Sequence, residues 1–185
     1  MFNTTRDIVA LATVLLILLV LLIHTANAGA QDQARADIKN AEGKSVGTAS
    51  LRETKDGVVM TVNVKGLPQG LHAVHVHSVG KCEGPAFTSA GPHFNPMNKK
   101  HGLKNVAGPH AGDLPDMYVE KNGVGRYEAL IDSITLGSGE TSIFDADGST
   151  IIIHVTADDN VTDPAGNSGD RIACGVITKG AAKKT

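Results

Sequence analysis

The 185-residue sequence predicts an all-β domain, a Greek-key β-barrel or sandwich of about eight antiparallel strands with two long functional loops, preceded by an apolar targeting helix. Three observations predict it. Short runs with alternating apolar and polar residues recur along the chain. Asp56-Gly57 and Asn122-Gly123 fall between such runs, and Asx-Gly tolerates the positive φ of tight hairpin turns. No segment keeps a sustained helical period.

In chain order, Arg6 precedes residues 8–23, which carry no charge and in which only Thr13 interrupts the apolar side chains. Ala26-Asn27-Ala28 follows and fits a signal-peptidase site, so residues 1–28 read as a secretory signal. A membrane anchor is the alternative, because the uncharged stretch continues to Gln31 and a span needs roughly 20 residues. Both place the domain outside the cytoplasm, and membrane contact is expected only if the segment is uncleaved. Residues 29–37 are polar and read as a flexible lead-in, 38–180 as the domain, and 181–185 as a basic tail.

The net charge is −2, and removing the leader takes one charge of each sign, Arg6 and Asp7. Nothing there suggests a nucleic-acid or membrane-surface partner. There is no Trp, so the core must be built mainly from Val, Ile, Leu and Ala. Cys82 and Cys174 are the only cysteines, an even count that suits an oxidising compartment. Paired, they would close a long loop worth roughly 4–5 kcal/mol in the chain-entropy account; two free buried thiols are the alternative.

Strands are expected at 45–52, 57–65, 72–78, 117–120, 125–131 and 149–155. Two stretches break the pattern, from 80 to about 116 and from 158 to about 170. Long irregular connections inside a compact domain are usually functional.

The chemistry concentrates around them. His75 and His77 are two apart in a strand, so they share a face. Such a pair is half of a metal site or simply polar residues on a solvated surface. His93, His101, His110 and Asp113 in the first long loop add up to a closed four-ligand zinc site, against the bland reading of incidental loop histidines. His154 sits in the apolar run Ile151-Ile152-Ile153-His154-Val155, either as a satisfied core residue or as a further imidazole. An all-nitrogen tetragonal set suits Cu(II).

The segments His75-Val76-His77, Ser89-Ala90-Gly91-Pro92-His93-Phe94-Asn95-Pro96, His101, His110-Ala111-Gly112-Asp113-Leu114 and Gly166 through Ile177 resemble copper/zinc superoxide dismutase. The similarity runs from about residue 43 to 179, in the family's order. The insertion after Cys82 and the short second loop are similar to bacterial exported members, which implies a periplasmic location.

The resemblance implies His75, His77, His93 and His154 as copper ligands, and His93, His101, His110 and Asp113 as zinc ligands, with His93 shared. It implies a Cys82–Cys174 disulfide and Arg171 as the active-site arginine. Asp158 would hold His75 and His101 in orientation, and His72 would be structural. The implied reaction is dismutation of superoxide at copper, with His93 and Arg171 taking part. Family members occur as homodimers and as monomers. The second loop carries Asp158, Asp159, Asp163 and Asp170 where eukaryotic relatives carry guiding charges, which leaves Lys99, Lys100 and Lys104 as candidates for steering the substrate. A copper-only relative would lack His101, His110 and Asp113. A non-catalytic extracytoplasmic copper/zinc-binding protein on the same fold is the alternative, which loss of Arg171 or of a copper ligand would favour.

Overall fold

A computed structural model describes residues 33–180; the leader at 1–28, the first part of the lead-in and the 181–185 tail lie outside the described residues. The described chain forms ten strands and one single-turn 3₁₀ helix, Thr88–Ala90. The strands are β1 (Gln33–Asn40), β2 (Ser45–Thr54), β3 (Gly57–Val64), β4 (Gly70–His72), β5 (Val74–His77), β6 (Met117–Val119), β7 (Gly125–Ile131), β8 (Thr150–His154), β9 (Arg171–Val176) and β10 (Thr178–Lys179).

Nine of them pair in the order β4-β6-β7-β3-β2-β1-β9-β8-β5, and β10 adds to β1. Every pairing is antiparallel. The two ends of that order, β4 and β5, are separated in the chain by Ala73 alone, so the sheet curls into a nearly closed barrel. The connections from β3 to β4 and from β7 to β8 skip over neighbouring strands, which is the Greek-key pattern expected.

Several expectations need correction. The lead-in read at 29–37 is in fact strand from Gln33, and β1 lies in the middle of the sheet between β2 and β9. Ala34, Ala36 and Ile38 face the core while Arg35, Asp37 and Lys39 are exposed, and two small alanines make a weak apolar signal for a buried face. The single strand expected at 72–78 is two strands, because β4 pairs with β6 and β5 with β8. β9 was not among the expected strands, and 149–155 contracts to Thr150–His154.

The core lies inside the barrel and is aliphatic, as the composition required: Ile38, Leu51, Val62, Leu136, Ile151 and Ile153 are all essentially inaccessible. Burying each such side chain stabilises the fold by about 1.5–3 kcal/mol. A β-bulge between Ile38 and Lys39 leaves Val46 as the extra residue opposite β1, so Val46 as well as Ala49 and Leu51 turns inward.

β5 and β8 differ from the other strands in being buried on both faces along their whole length. Val74, Val76, Ile151 and Ile153 fill the barrel, whereas Ile152 packs outside it with Phe87, Ala90 and Cys174. The first long loop folds back over that outer face, tied down by the Cys82–Cys174 disulfide. The histidines therefore sit beneath this loop, on the outside of the barrel wall.

Candidate metal centre

With Val74 and Val76 directed into the barrel, alternation turns His75 and His77 outward on β5. On β8 it turns Ile152 and His154 the same way. The pairing Val74↔Ile153 and His75↔Ile152 then leaves His154 diagonal to His75, with ring centroids 4.9 Å apart.

The loop supplies its ligands through the backbone. One edge of β5 pairs with β8, and the other is bridged by loop residues, His77 opposite His93 and His75 opposite Asp113. The Val76 N–H donates to the Gly112 carbonyl (2.9 Å), and the Phe94 N–H donates to the Val76 carbonyl (2.8 Å). Gly112 is needed at this crossing, since a Cβ there would fall on the Val76 carbonyl oxygen and 3.1 Å from the Phe94 nitrogen. These bridges place the His93 ring 4.0 Å from His75 and 4.8 Å from His77, centroid to centroid.

His75, His77, His93 and His154 each offer a ligand atom, all within 4.8 Å of one another. On three of them the far nitrogen is committed. His75 Nε2–H donates to Asp158 (2.7 Å), His77 Nδ1–H to the Gly91 carbonyl (2.9 Å) and His154 Nδ1–H to the Gly169 carbonyl (3.0 Å). The near nitrogens, His75 Nδ1, His77 Nε2, His93 Nε2 and His154 Nε2, are buried and have no hydrogen-bond partner among protein atoms. An unpaired buried polar atom costs about 1–3 kcal/mol. Four converging lone pairs of this kind fit a cation.

Burial also keeps the His77, His93 and His154 rings neutral. It lowers His93 to about 4, against the opposing pull of the Asp113 hydrogen bond, and His154 to about 3, with His75 adding to the effect. Burial and the neighbouring His93 push His77 well below its ordinary value.

The second set is His93, His101, His110 and Asp113. Asp113 Oδ1 lies 2.8 Å from His93 Nδ1, 3.0 Å from His101 Nδ1 and 3.3 Å from His110 Nδ1. Its Oδ2 accepts the backbone N–H groups of Gly102 (2.8 Å) and His110 (2.9 Å). Three imidazole nitrogens crowd one carboxylate oxygen. Ligands around a tetrahedral ion at roughly 2.0–2.1 Å would lie about 3.3 Å apart, close to this spacing. Burial alone would raise the Asp113 carboxyl, but the hydrogen bonds from His101, His110 and His93 hold it far below the usual range.

Asp158 joins the two sets, meeting His75 Nε2 at 2.7 Å and His101 Nε2 at 3.0 Å. Gly166, at φ +62°, covers this contact so closely that a Cβ would fall on Asp158 Oδ1. Asp116, which sequence reasoning passed over, accepts the Asp158 backbone N–H at 3.0 Å. Nothing in its local sequence marks that role. Asp163 accepts the His101 N–H (2.8 Å) and pairs with Lys100 (3.0 Å), joining the two loops.

Arg171 is half-buried and forms no salt bridge among the described residues. Its Nη atoms donate to the carbonyls of Phe87 (2.8 Å) and Gly91 (2.9 Å). It lines an open cleft of about 470 Å³ together with His93, His154, Pro92, Pro164 and Ala165. None of the three lysines considered for steering lines this cleft, and Lys100 is taken up by Asp163. His72 belongs to none of these ligand groups among the described residues; its Nδ1 faces the His154 carbonyl (2.7 Å) and its Nε2 the Pro68 carbonyl (2.8 Å), stapling the gap between β4 and β8.

Two adjoining ligand sets with one histidine in common, on the outer wall of a Greek-key barrel, define a protein built to hold two metal ions. The profile of the copper/zinc superoxide dismutase (SODC) family matches residues 45–177. Similar proteins include "Superoxide dismutase [Cu-Zn] 2" of Aquifex aeolicus, 46% identical over 85% of this chain and 93% of that one. "Superoxide dismutase [Cu-Zn]" of Caulobacter vibrioides is 38% identical over 78% and 84%. Among solved structures, a SOD-like protein from Bacillus subtilis superposes with a TM-score of 0.74 at 40% identity, covering 76% of this chain and 95% of that one. The Cu/Zn superoxide dismutase from Brucella abortus gives 0.66 at 27% identity over 80% and 100%. The chain belongs to the copper/zinc superoxide dismutase family, whose metals are copper and zinc.

Proposed function

We propose that the protein dismutes superoxide outside the cytoplasm, 2 O2•− + 2 H+ → O2 + H2O2, with copper held by His75, His77, His93 and His154 and zinc by His93, His101, His110 and Asp113. One observation carries this reading: the two nitrogens of His93 face different ligand sets, Nδ1 toward Asp113 and Nε2 toward the unpartnered imidazoles. Copper bound at that site supplies the one-electron chemistry, alternating between Cu(II) and Cu(I).

The residues do the rest. Arg171 holds a fixed fork of donors at the cleft, oriented by two carbonyls, and binds the small anion there. His93 takes a proton at Nε2 in one half of the cycle and gives it to the reduced anion in the other. Asp158 holds the His75 and His101 rings so that their other nitrogens stay on target. The Cys82–Cys174 disulfide supports an oxidising compartment, in keeping with the apolar leader.

Superoxide decay measured on protein loaded with both metals tests this. Arg171→Ala should slow the reaction on the order of 10²-fold at unchanged copper content. A fully loaded wild type that leaves the decay unaccelerated sinks the enzyme reading in favour of a metal-binding role on the same fold.

A further inference from the structure

Ser168 is almost completely buried in the second loop, at 1% exposure. Its Oγ lies 2.8 Å from the Ala165 carbonyl and 3.1 Å from His154 Nδ1. A hydroxyl has one hydrogen and two lone pairs. The carbonyl can only accept, so it takes the hydroxyl hydrogen, and the lone pairs of Oγ are left facing Nδ1. Nδ1 must then carry its proton, shared between Ser168 Oγ and the Gly169 carbonyl at 3.0 Å. Nε2 of the same ring is the buried, unpartnered atom aimed at the other three imidazoles.

The bland alternative is a loop hydroxyl that satisfies a carbonyl three residues back. The Ser168 backbone N–H already contacts that same carbonyl at 3.3 Å, so the turn is closed without the hydroxyl. A second acceptor on Nδ1–H, by contrast, has a chemical consequence. Hydrogen bonding at the far nitrogen raises the basicity of the ligating one. Ala165 also borders the cleft with His154 and Arg171, so the hydroxyl ties the ring to the rim of the substrate channel.

We propose that Ser168 is a positioning residue for His154: its hydroxyl accepts from Nδ1–H, fixes the ring against the Ala165 turn, and strengthens Nε2 as a donor to the metal. This rests on the reading of the four imidazoles as the copper site. A more basic Nε2 favours Cu(II) over Cu(I), so the hydroxyl lowers the potential of the centre.

Ser168→Ala, with Ser168→Thr as the variant that keeps the hydroxyl, tests it on the full zinc-loaded protein. In Ser168→Ala the affinity for Cu(II) should fall about tenfold with Cu(I) affinity unchanged, which raises the potential by about 60 mV. Zinc affinity and the melting temperature of the metal-free protein should stay put, and Ser168→Thr should restore the potential. An unchanged potential in Ser168→Ala, or a lowered melting temperature with no change in the Cu(II):Cu(I) ratio, overturns the proposal. The His154 Nδ1–H resonance in copper-free, zinc-loaded protein gives a separate readout. It should move upfield in Ser168→Ala, and an unmoved signal refutes the hydrogen bond. Failure of the wild type to bind Cu(II) through four nitrogens would instead strike the proposed function, while the Nδ1–H measurement still decides Ser168.

Discussion

His101 stands between two carboxylates, with Nδ1 on Asp113 and Nε2 on Asp158, in a fully buried position. Burial works against its proton, but the two carboxylates outweigh it and raise the ring to about 9. Its neighbours on the copper side behave oppositely, because His93 and His154 have burial with too little negative charge to offset it. The sign for metal binding follows. Zinc needs the lone pair of Nδ1, and below about 9 that nitrogen is occupied by a proton in the metal-free protein. Zinc uptake at neutral pH should therefore release a proton from His101. Affinity should climb by up to about tenfold per pH unit until about pH 9 and then level off. Competition with a chelator across that range measures the slope, and a flat profile would refute the assignment. Asp113 was named from the ligand types of its loop and Asp158 by resemblance to a family pattern, but the charge state of the ring between them was not visible from residue types alone.

At the scale of elements, the site depends on a loop behaving as strand. Residues 92–94 and 112–113 lie along the open edge of β5 and set His93 and Asp113 in register with His77 and His75. Three backbone segments meet at Val76, Phe94 and Gly112, and the crossing has no room for a side chain. Gly112→Ala should push the loop off β5, lowering the stability of the metal-free protein by about 1–3 kcal/mol. Zinc retention should fall with it. Urea unfolding together with metal content by mass spectrometry checks this, and a variant that keeps both at wild-type values would show that the crossing is looser than described. The HxH pair was legible because period two is a local property of one strand. The docking of the loop was not, since glycine carries no periodic signal and its partner Val76 lies far off in sequence.

For the molecule as a whole, the disulfide connects the outer loop to the barrel wall and, through it, to the chemistry. Cys174 is on β9 three residues after Arg171, and Cys82 opens the segment that carries Phe87 and Gly91. The Gly91 carbonyl takes hydrogen bonds from both Arg171 and His77 Nδ1, each at 2.9 Å. Freeing this segment would release the arginine fork and one copper-site imidazole together, while the His101–Asp113 segment keeps its own anchors on β5. Cys82→Ser should cost about 2–5 kcal/mol of stability. We expect it to depress superoxide decay and copper affinity more than zinc affinity. Denaturant midpoints and separate titrations of the two metals would reveal this, and equal loss of both metals would contradict it.

The all-β class, the two long irregular loops and the shared face of His75 and His77 were legible in the one-dimensional pattern, whereas the division of the histidines into two sets with His93 in common came from the family resemblance. Alternation, turn residues and ligand types are properties of neighbours in the chain. Folding in three dimensions was needed to make β1 a central strand and to split 72–78 between two partners. It was needed as well to bury both faces of β5 and β8, and to bring Ser168 and Asp116 against residues that no spacing connects to them. The reason is physical: periodicity tells which way a side chain points from its own strand, whereas which strands and loops lie alongside is set by barrel closure and by the burial that closure permits.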